Sequence, residues 1–176
     1  MKILKKVALI LLIILAIPLV IALFVKNEYD VERAVTINKP KEEVFNYVKY
    51  LKNQDNYSKW VMIDPNMKKD FKGTDGTAGF IYAWDGNSKA GKGEQEIKNI
   101  QEGERVDVEV RFIKPFAGVA TTPITTESIS PDQTKVTWAM HGKSGYPMNF
   151  MNLFLDKVLG KDLETSLATL KGVLEK

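Results

Sequence analysis

An uncharged apolar stretch of about 19 residues, 7–25, is the feature that most limits how this chain can fold. An α-helix rises about 1.5 Å per residue, so the stretch nearly matches a hydrocarbon layer of roughly 30 Å. Pro18 lies inside it, and membrane helices tolerate proline. The rest of the chain has the usual size of one domain. We therefore expect a transmembrane anchor over residues 1–26 and a single domain over residues 27–176.

A cleaved secretory signal is the alternative for this segment, because a basic leader, Met1–Lys6, precedes it. Signal cores are shorter, about 7–15 residues, and end in small residues at the cleavage site. Here the stretch ends in Ile21–Val25, which is a poor cleavage site, so the pattern favours an anchor. Basic residues concentrate before the span and predict a cytoplasmic N-terminus. We expect a single-pass protein of the cell membrane with an extracytoplasmic domain.

Charge and composition exclude several classes of function. The first 26 residues hold four of the 25 basic residues and none of the 22 acidic ones, so residues 27–176 carry a net charge of −1. That balance does not support nucleic-acid binding. The chain has no cysteine, and His141 is its one histidine. Thiolate chemistry is excluded, and we expect no metal and no cofactor.

Alternating apolar and polar residues predict β-strands through most of the domain. The clearest case is Arg105–Phe112, where every apolar residue has an even number and every charge an odd one. Tyr29–Ile37, Phe80–Trp84 and Lys135–Met140 show the same alternation less strictly. Thr121–Ile129 also looks extended, but Pro123 cannot donate a ladder hydrogen bond, so we expect a bulge or break there.

Helical spacing appears at two places. Pro40 and two glutamates open a short helix that carries Val44, Phe45, Val48 and Leu51. From Met148 to the C-terminus, apolar residues recur every three or four positions and predict one long amphipathic helix. The sequence thus predicts an α+β domain that ends in a single long helix.

Five segments, in this order, make the domain resemble the START/polyketide-cyclase-like (SRPBCC) superfamily. They are Ile37–Phe45, Tyr57–Trp60, Gly76–Gly79, Gly93–Ile97 and Thr134–Trp138. The resemblance implies a helix-grip fold, in which a curved antiparallel sheet of about six to seven strands wraps around the long C-terminal helix. It also implies an apolar cavity between the sheet and the helix.

Strand parity proposes which side chains line such a cavity. The alternative is that they form an ordinary filled core, or, for Gln95, that its amide is exposed or bonds a neighbouring loop. The candidates from the strands and the closing helix are Phe80, Tyr82, Trp84, Gln95, Val108, Val110, Phe112, Trp138, Met140, Phe150 and Phe154, with Met151 beside the last two.

Candidate acids and bases are not found on the same faces. His141 alternates with Trp138 and Met140 and is therefore predicted to point outward. Asp107 and Glu109 lie on the polar face of their strand, and Glu94 and Glu96 lie opposite to Gln95 in parity. No catalytic residue is assigned, because no buried acid–base pair is evident.

The sequence favours a membrane-anchored module that binds a hydrophobic or lipid-like small molecule. One alternative is a cyclase, dehydratase or hydrolase that acts on a hydrophobic substrate. Another is a partner-binding structural module of the envelope with a filled core.

Overall fold

The computed structural model describes residues 2–176, apart from the side chains of residues 2, 4 and 8. The four α-helices are α1 (Lys2–Ala22), α2 (Lys41–Val48), α3 (Lys59–Met62) and α4 (Asn152–Leu174), and 3₁₀ segments cover Leu51–Asn56 and Met148–Met151. The strands are β1 (Glu28–Ile37), β2 (Lys68–Lys72), β3 (Ile81–Asp85), β4 (Lys92–Gln101), β5 (Arg105–Lys114), β6 (Gly118–Thr121), β7 (Ile124–Ser130) and β8 (Gln133–Lys143).

All eight strands form one antiparallel sheet in the order β1-β8-β6-β5-β4-β3-β2. Strand β7 pairs with β5 and β8, so it continues the sheet position of β6. The eight strands therefore occupy seven positions, in agreement with the predicted sheet. Strand β2 was not predicted, because its sequence, KKDFK, carries one apolar residue and lies in the open at the sheet edge.

The break between β6 and β7 falls at Thr122–Pro123, where the sequence predicts it. The amide of Thr122 bonds the carbonyl of Val108, at 2.7 Å, and the carbonyl of Pro123 accepts from the amide of Ala139, at 3.1 Å. Pro123 has no N–H to donate, so the ladder is interrupted there. It resumes at Ile124, which pairs with Val106 on β5 and with Trp138 on β8.

Helix α4 packs across β1 and closes one half of the sheet. Its inward stripe includes Leu163, Leu167 and Leu170, which are buried with Val31 and Trp138. A second buried cluster lies between α2 and strands β3 to β5, where Phe45 and Leu51 meet Tyr82 and Ile97. The space between these two clusters is where a cavity is expected.

Helix α1 projects away from the domain. Its described side chains are exposed or half-exposed apart from Ala22, which is buried. The window Lys5–Ala22 has a mean hydropathy of 2.5 and is long enough to cross a membrane. A signal sequence near the N-terminus can reach the same length and apolarity.

Candidate functional site

A cavity of ≈ 260 Å³ lies between the inner face of the sheet and the helical segments that cover it. A single buried water needs a cavity of only about 10–15 Å³. The core of the domain is therefore not filled, and the space is large enough for an organic molecule.

The floor of the cavity is a row of three side chains on neighbouring strands. Tyr82 on β3 pairs with Gln95 on β4, and Gln95 pairs with Val110 on β5. All three are buried and line the cavity. Because side chains alternate across a strand, this shared register places them on one face.

The next row consists of Trp84, Gly93 and Phe112. A Cβ on Gly93 would lie 2.6 Å from the Trp84 ring and 2.6 Å from the Arg111 carbonyl. The missing side chain lets the indole lie across β4, where its ring meets Phe112 edge to face at 6.2 Å. The indole Nε1 donates to the carbonyl of Ala90, at 3.1 Å, and ties the ring to the β3–β4 loop.

The wall of the cavity on the β8 side is also aromatic. The Trp138 ring meets Trp60 at 5.7 Å and an interplanar angle of 85°. Its Nε1 donates to Thr122 Oγ1 at 3.3 Å. Met140 follows on the same face of β8, and all four of these residues line the cavity.

Contacts between α3 and α4 hold the roof in place. Trp60 Nε1 donates to Asp162 Oδ2 at 3.2 Å, and the amide of Lys59 donates to Ser166 Oγ at 3.0 Å. Lys59 also forms an ion pair with Asp162. Leu159 of α4 completes the roof beside Trp60.

Two glutamines give the cavity its main polar contact. Gln95 Nε2 donates to Gln54 Oε1 at 3.1 Å, which joins β4 to the 3₁₀ segment above it. Gln54 Nε2 is buried and has no hydrogen-bond partner among the described residues. An unpaired buried amide is costly, so a bound molecule with an acceptor would relieve that cost.

Tyr82 is held as a neutral hydrogen-bond donor. Its hydroxyl donates to Asp55 Oδ1 at 2.8 Å, and Lys69 Nζ lies 2.8 Å from Asp55 Oδ2. Burial raises the pKa of Tyr82, and the bond to Asp55 and its negative charge raise it further. The phenol therefore stays protonated at neutral pH and is a poor general base.

The cavity opens where two loops meet. Among its lining residues, Lys89, Lys114 and Pro115 are exposed. Lys89 lies in the β3–β4 connection, and Lys114 and Pro115 lie where β5 ends and the β5–β6 connection begins. Asp64 fixes the first of these loops, since its Oδ2 accepts from the amide of Asn87 at 2.7 Å. These loops form the mouth of the cavity.

Seven of the eleven predicted side chains line this cavity. They are Tyr82, Trp84, Gln95, Val110, Phe112, Trp138 and Met140. Phe80 and Val108 point to the same side of the sheet but lie farther along it, where they pack in the second buried cluster with Phe45 and Leu51. Strand parity identifies the inner face but not how far the cavity extends along it.

The structure does not place Phe150 and Phe154 on the cavity. Their rings contact each other at 5.9 Å, and Phe154 is 50% exposed. Leu155 and Leu159 instead face the core, and Met151 is also exposed. The first turns of α4 are apolar on several faces, so spacing alone does not show which stripe is buried.

Several lining residues were not anticipated. They are Gln54, Ser58, Trp60, Val61, Met67, Lys89, Ala90, Lys114, Pro115, Thr122 and Leu159. Most of them come from loops and short helical segments, which have no long periodic pattern. Ser58 and Trp60 stood in a segment that carried the family resemblance, Tyr57–Trp60.

The titratable residues that line the cavity are Tyr82, Lys89 and Lys114. Within the described part of the chain, no carboxylate or imidazole joins them. His141 lies on the outer face of β8, with Nδ1 3.0 Å from Asp30 Oδ1 and its side chain 39% exposed. The arrangement provides apolar surface and hydrogen bonds, without an acid–base pair directed at the cavity.

Solved structures show the same fold. Norcoclaurine synthase from Thalictrum flavum, in complex with dopamine and hydroxybenzaldehyde, has a TM-score of 0.65 at 8% identity, over 88% of this chain and 90% of its own. The Zhui aromatase/cyclase from Streptomyces sp. R1128 has a TM-score of 0.63 at 10% identity, over 84% of this chain and 94% of its own. A protein of Chromobacterium violaceum has a TM-score of 0.59 at 15% identity, over 85% and 98%.

These likenesses confirm the helix-grip fold that the sequence predicts. No curated protein matches the chain at a significant level. The family model described as polyketide cyclase/dehydrase and lipid transport matches residues 28–175, nearly the whole domain. The chain therefore belongs to the polyketide cyclase/dehydrase and lipid transport family.

Proposed function

We propose that the domain binds a hydrophobic or lipid-like small molecule in the cavity between the sheet and α4. The observation that carries the proposal is the lining itself, which is mostly apolar and aromatic and holds a few oriented polar groups. Small-molecule sites generally have this composition. The bound ligands in one structural neighbour, norcoclaurine synthase, are consistent with it.

The polar groups specify what the ligand carries. Gln54 Nε2 lacks a partner among the described residues, so a small rearrangement of the glutamine pair offers a donor to an acceptor on the ligand. Lys89 and Lys114 stand at the mouth and favour a negative or strongly polar end there. We infer a ligand with an apolar body and a polar or acidic group.

Helix α1 holds this domain at a membrane in the proposed arrangement. Its support is the length and apolarity of Lys5–Ala22 and the exposure of its described side chains. The lysines before the span favour an extracytoplasmic domain. Protease added outside spheroplasts should then digest the domain, and an intact mass should retain residues 1–26. Protection of the domain would overturn the orientation, and loss of those residues would indicate a cleaved signal.

Mass spectrometry of molecules retained by the purified full-length chain tests the binding function. Val110→Phe adds volume on the cavity floor, and Val119→Phe makes the same change at an exposed position of the adjacent strand. We expect one defined class of apolar molecule with the wild type and Val119→Phe, and much less with Val110→Phe. Equal retention by all three proteins, or none by the wild type, would contradict the proposal.

A cyclase-type reaction is the second candidate, and the family and the aromatase/cyclase neighbour favour it. The Tyr82 hydroxyl on the cavity floor, bonded to Asp55, is the polarised group that such a reaction would use. Binding alone leaves the recovered ligand chemically unchanged. Turnover of a linear polyketone, with loss of that turnover in Tyr82→Phe, would favour the enzyme instead.

A further inference from the structure

The linker between α1 and the domain is held by two asparagine side chains. Asn149 Nδ2 donates to the carbonyls of Ala22 and Val25, at 2.7 and 2.8 Å. Asn152 Nδ2 donates to those of Lys26 and Asn27, at 2.9 and 3.0 Å. The last carbonyls of a helix lack partners within the helix, and these amides supply some. The end of α1 is therefore fixed to the domain rather than joined by a free tether.

The register of the sheet shows which strand ends lie beside this point. Ser144, just after β8, donates its amide to the Asn27 carbonyl at 2.8 Å. Gly142 pairs with both Tyr29 and Ala120, and Ala120 pairs with Val110. Following antiparallel pairing across the sheet, the β3–β4 and β5–β6 connections project from the same end as α1. We call this end of the domain the anchor end.

The mouth of the cavity lies at the anchor end. Its exposed lining residues, Lys89, Lys114 and Pro115, lie in those two connections or at the strand end that leads into them. The cavity floor at Tyr82, Gln95 and Val110 lies deeper in the sheet. An entering molecule would therefore approach from the side where α1 leaves the domain.

The anchor end also exposes a cluster of large apolar side chains, which soluble domains rarely do. Beyond the linker, the exposed side chains are Phe116 on the β5–β6 connection, Tyr146, Met148 and Met151 between β8 and α4, and Leu153 and Phe154 in the first turn of α4. Phe116 is 72% exposed and Phe154 is 50% exposed.

Lysines surround this apolar surface. Lys26, Lys89, Lys114 and Lys157 form no ion pair within the described part of the chain. Exposed aromatic and aliphatic groups ringed by lysines suit the headgroup region of a bilayer, especially an anionic one. An ordinary soluble partner would not explain why this surface coincides with the exit of α1.

We propose that the anchor end lies on the bilayer that α1 crosses, with the β5–β6 connection in the headgroup region and the cavity mouth open to the lipid. This inference rests on the proposed anchoring by α1. It adds that the ligand enters from the membrane rather than from bulk water. A ligand dissolved in the bilayer would then reach the cavity without crossing solvent.

The absence of cysteine allows clean single-site labelling for the test. The full-length chain in vesicles of phosphatidylcholine and phosphatidylglycerol would carry a fluorophore at Ala117→Cys, beside Phe116, or at Ser88→Cys, on the mouth loop. Asp132→Cys, in the β7–β8 turn at the other end of the sheet, is the matched control. Doxyl-labelled lipids quench fluorophores within the headgroup region and report their depth.

We expect at least twofold stronger quenching at positions 117 and 88 than at 132. If the chain stays in the vesicles after alkaline carbonate but all three sites are quenched equally, the inference fails while anchoring by α1 stands. Quenching at 117 without quenching at 88 would overturn the membrane-facing mouth. If carbonate extracts the chain, the anchor and this inference both fail.

Discussion

Gln95 on β4 donates its amide hydrogen to Gln54 Oε1 at 3.1 Å, and this bond joins the floor of the cavity to its roof. Both side chains are at least nine-tenths buried. We expect Gln95→Leu to reduce the free energy of unfolding by about 1–3 kcal/mol, because it leaves the Gln54 amide wholly unpaired in the interior. Urea denaturation measures this loss.

The double variant Gln54→Leu/Gln95→Leu separates polar pairing from packing. Removing both amides removes the unpaired group as well, so its loss of stability should be smaller than the sum of the two single losses. Binding of a ligand with a polar acceptor should fall, while a purely apolar probe binds at least as well. Additive losses of stability would show that the two glutamines do not act as a pair.

Val110→Phe tests whether the space on the cavity floor is available to an added side chain. In a close-packed core, such an insertion costs typically 1–3 kcal/mol. Because Val110 borders the cavity, we expect a smaller cost, below about 1 kcal/mol, together with a clear loss of apolar probe binding. Thermal melting measures the first quantity and probe fluorescence the second.

Val119→Phe is the control for this change, because Val119 is 55% exposed on β6. It should leave probe binding unaltered. A loss of several kcal/mol in Val110→Phe, without competition by any apolar probe in the wild type, would indicate a tightly filled core.

Gly93→Ala tests how Trp84 is seated. The new Cβ would meet the indole and the Arg111 carbonyl at 2.6 Å each, so the ring or β4 must shift. We expect a loss of about 1–3 kcal/mol and a change in tryptophan fluorescence, since the shift also strains the bond from Trp84 to Ala90. Gly118→Ala meets nothing within 4 Å and should change neither measurement. Equal effects at both positions would argue against the seating of the indole.

The fold could be predicted from the sequence because its long elements carry strong patterns. The strict alternation over Arg105–Phe112 identified β5 and its inner face, and Pro123 identified the break between β6 and β7. Strand β2 was missed because an edge strand that buries nothing has no alternation to read.

The candidate site was predictable only in part, for a similar reason. Tyr82, Val110 and Trp138 follow from strand parity, whereas the roof and the mouth come from loops whose positions depend on tertiary contacts. Gln54 illustrates this, since it meets Gln95 only because the 3₁₀ segment packs over β4 in the folded domain. Phe154 illustrates the converse, because apolar spacing on α4 does not distinguish a buried stripe from a surface for lipid.

Removing the hydroxyl group from each of two buried tyrosines gives a matched pair of variants. Tyr82 donates to Asp55 at 2.8 Å, whereas the Tyr57 hydroxyl is buried and has no partner among the described residues. Tyr82→Phe should therefore cost about 1.5–3 kcal/mol, because the acceptor is charged, while Tyr57→Phe should be neutral or stabilising by up to about 1 kcal/mol. Chemical denaturation at neutral pH measures both, and the reverse order would contradict these assignments.

Alkaline pH should destabilise the domain through Tyr57. Burial raises the pKa of Tyr57 above its ordinary value near 10, while in the unfolded chain the phenol keeps that value. A raised folded pKa stabilises the native state fully below about pH 10, and this contribution is lost as the pH rises from there toward the folded pKa. The free energy of unfolding of the wild type should fall as the pH rises above about 10, and Tyr57→Phe should show a shallower decline. Tyr146→Phe removes an exposed phenol and should follow the wild type. Identical pH profiles for Tyr57→Phe and the wild type would show that Tyr57 ionises as readily in the folded domain as in the unfolded chain.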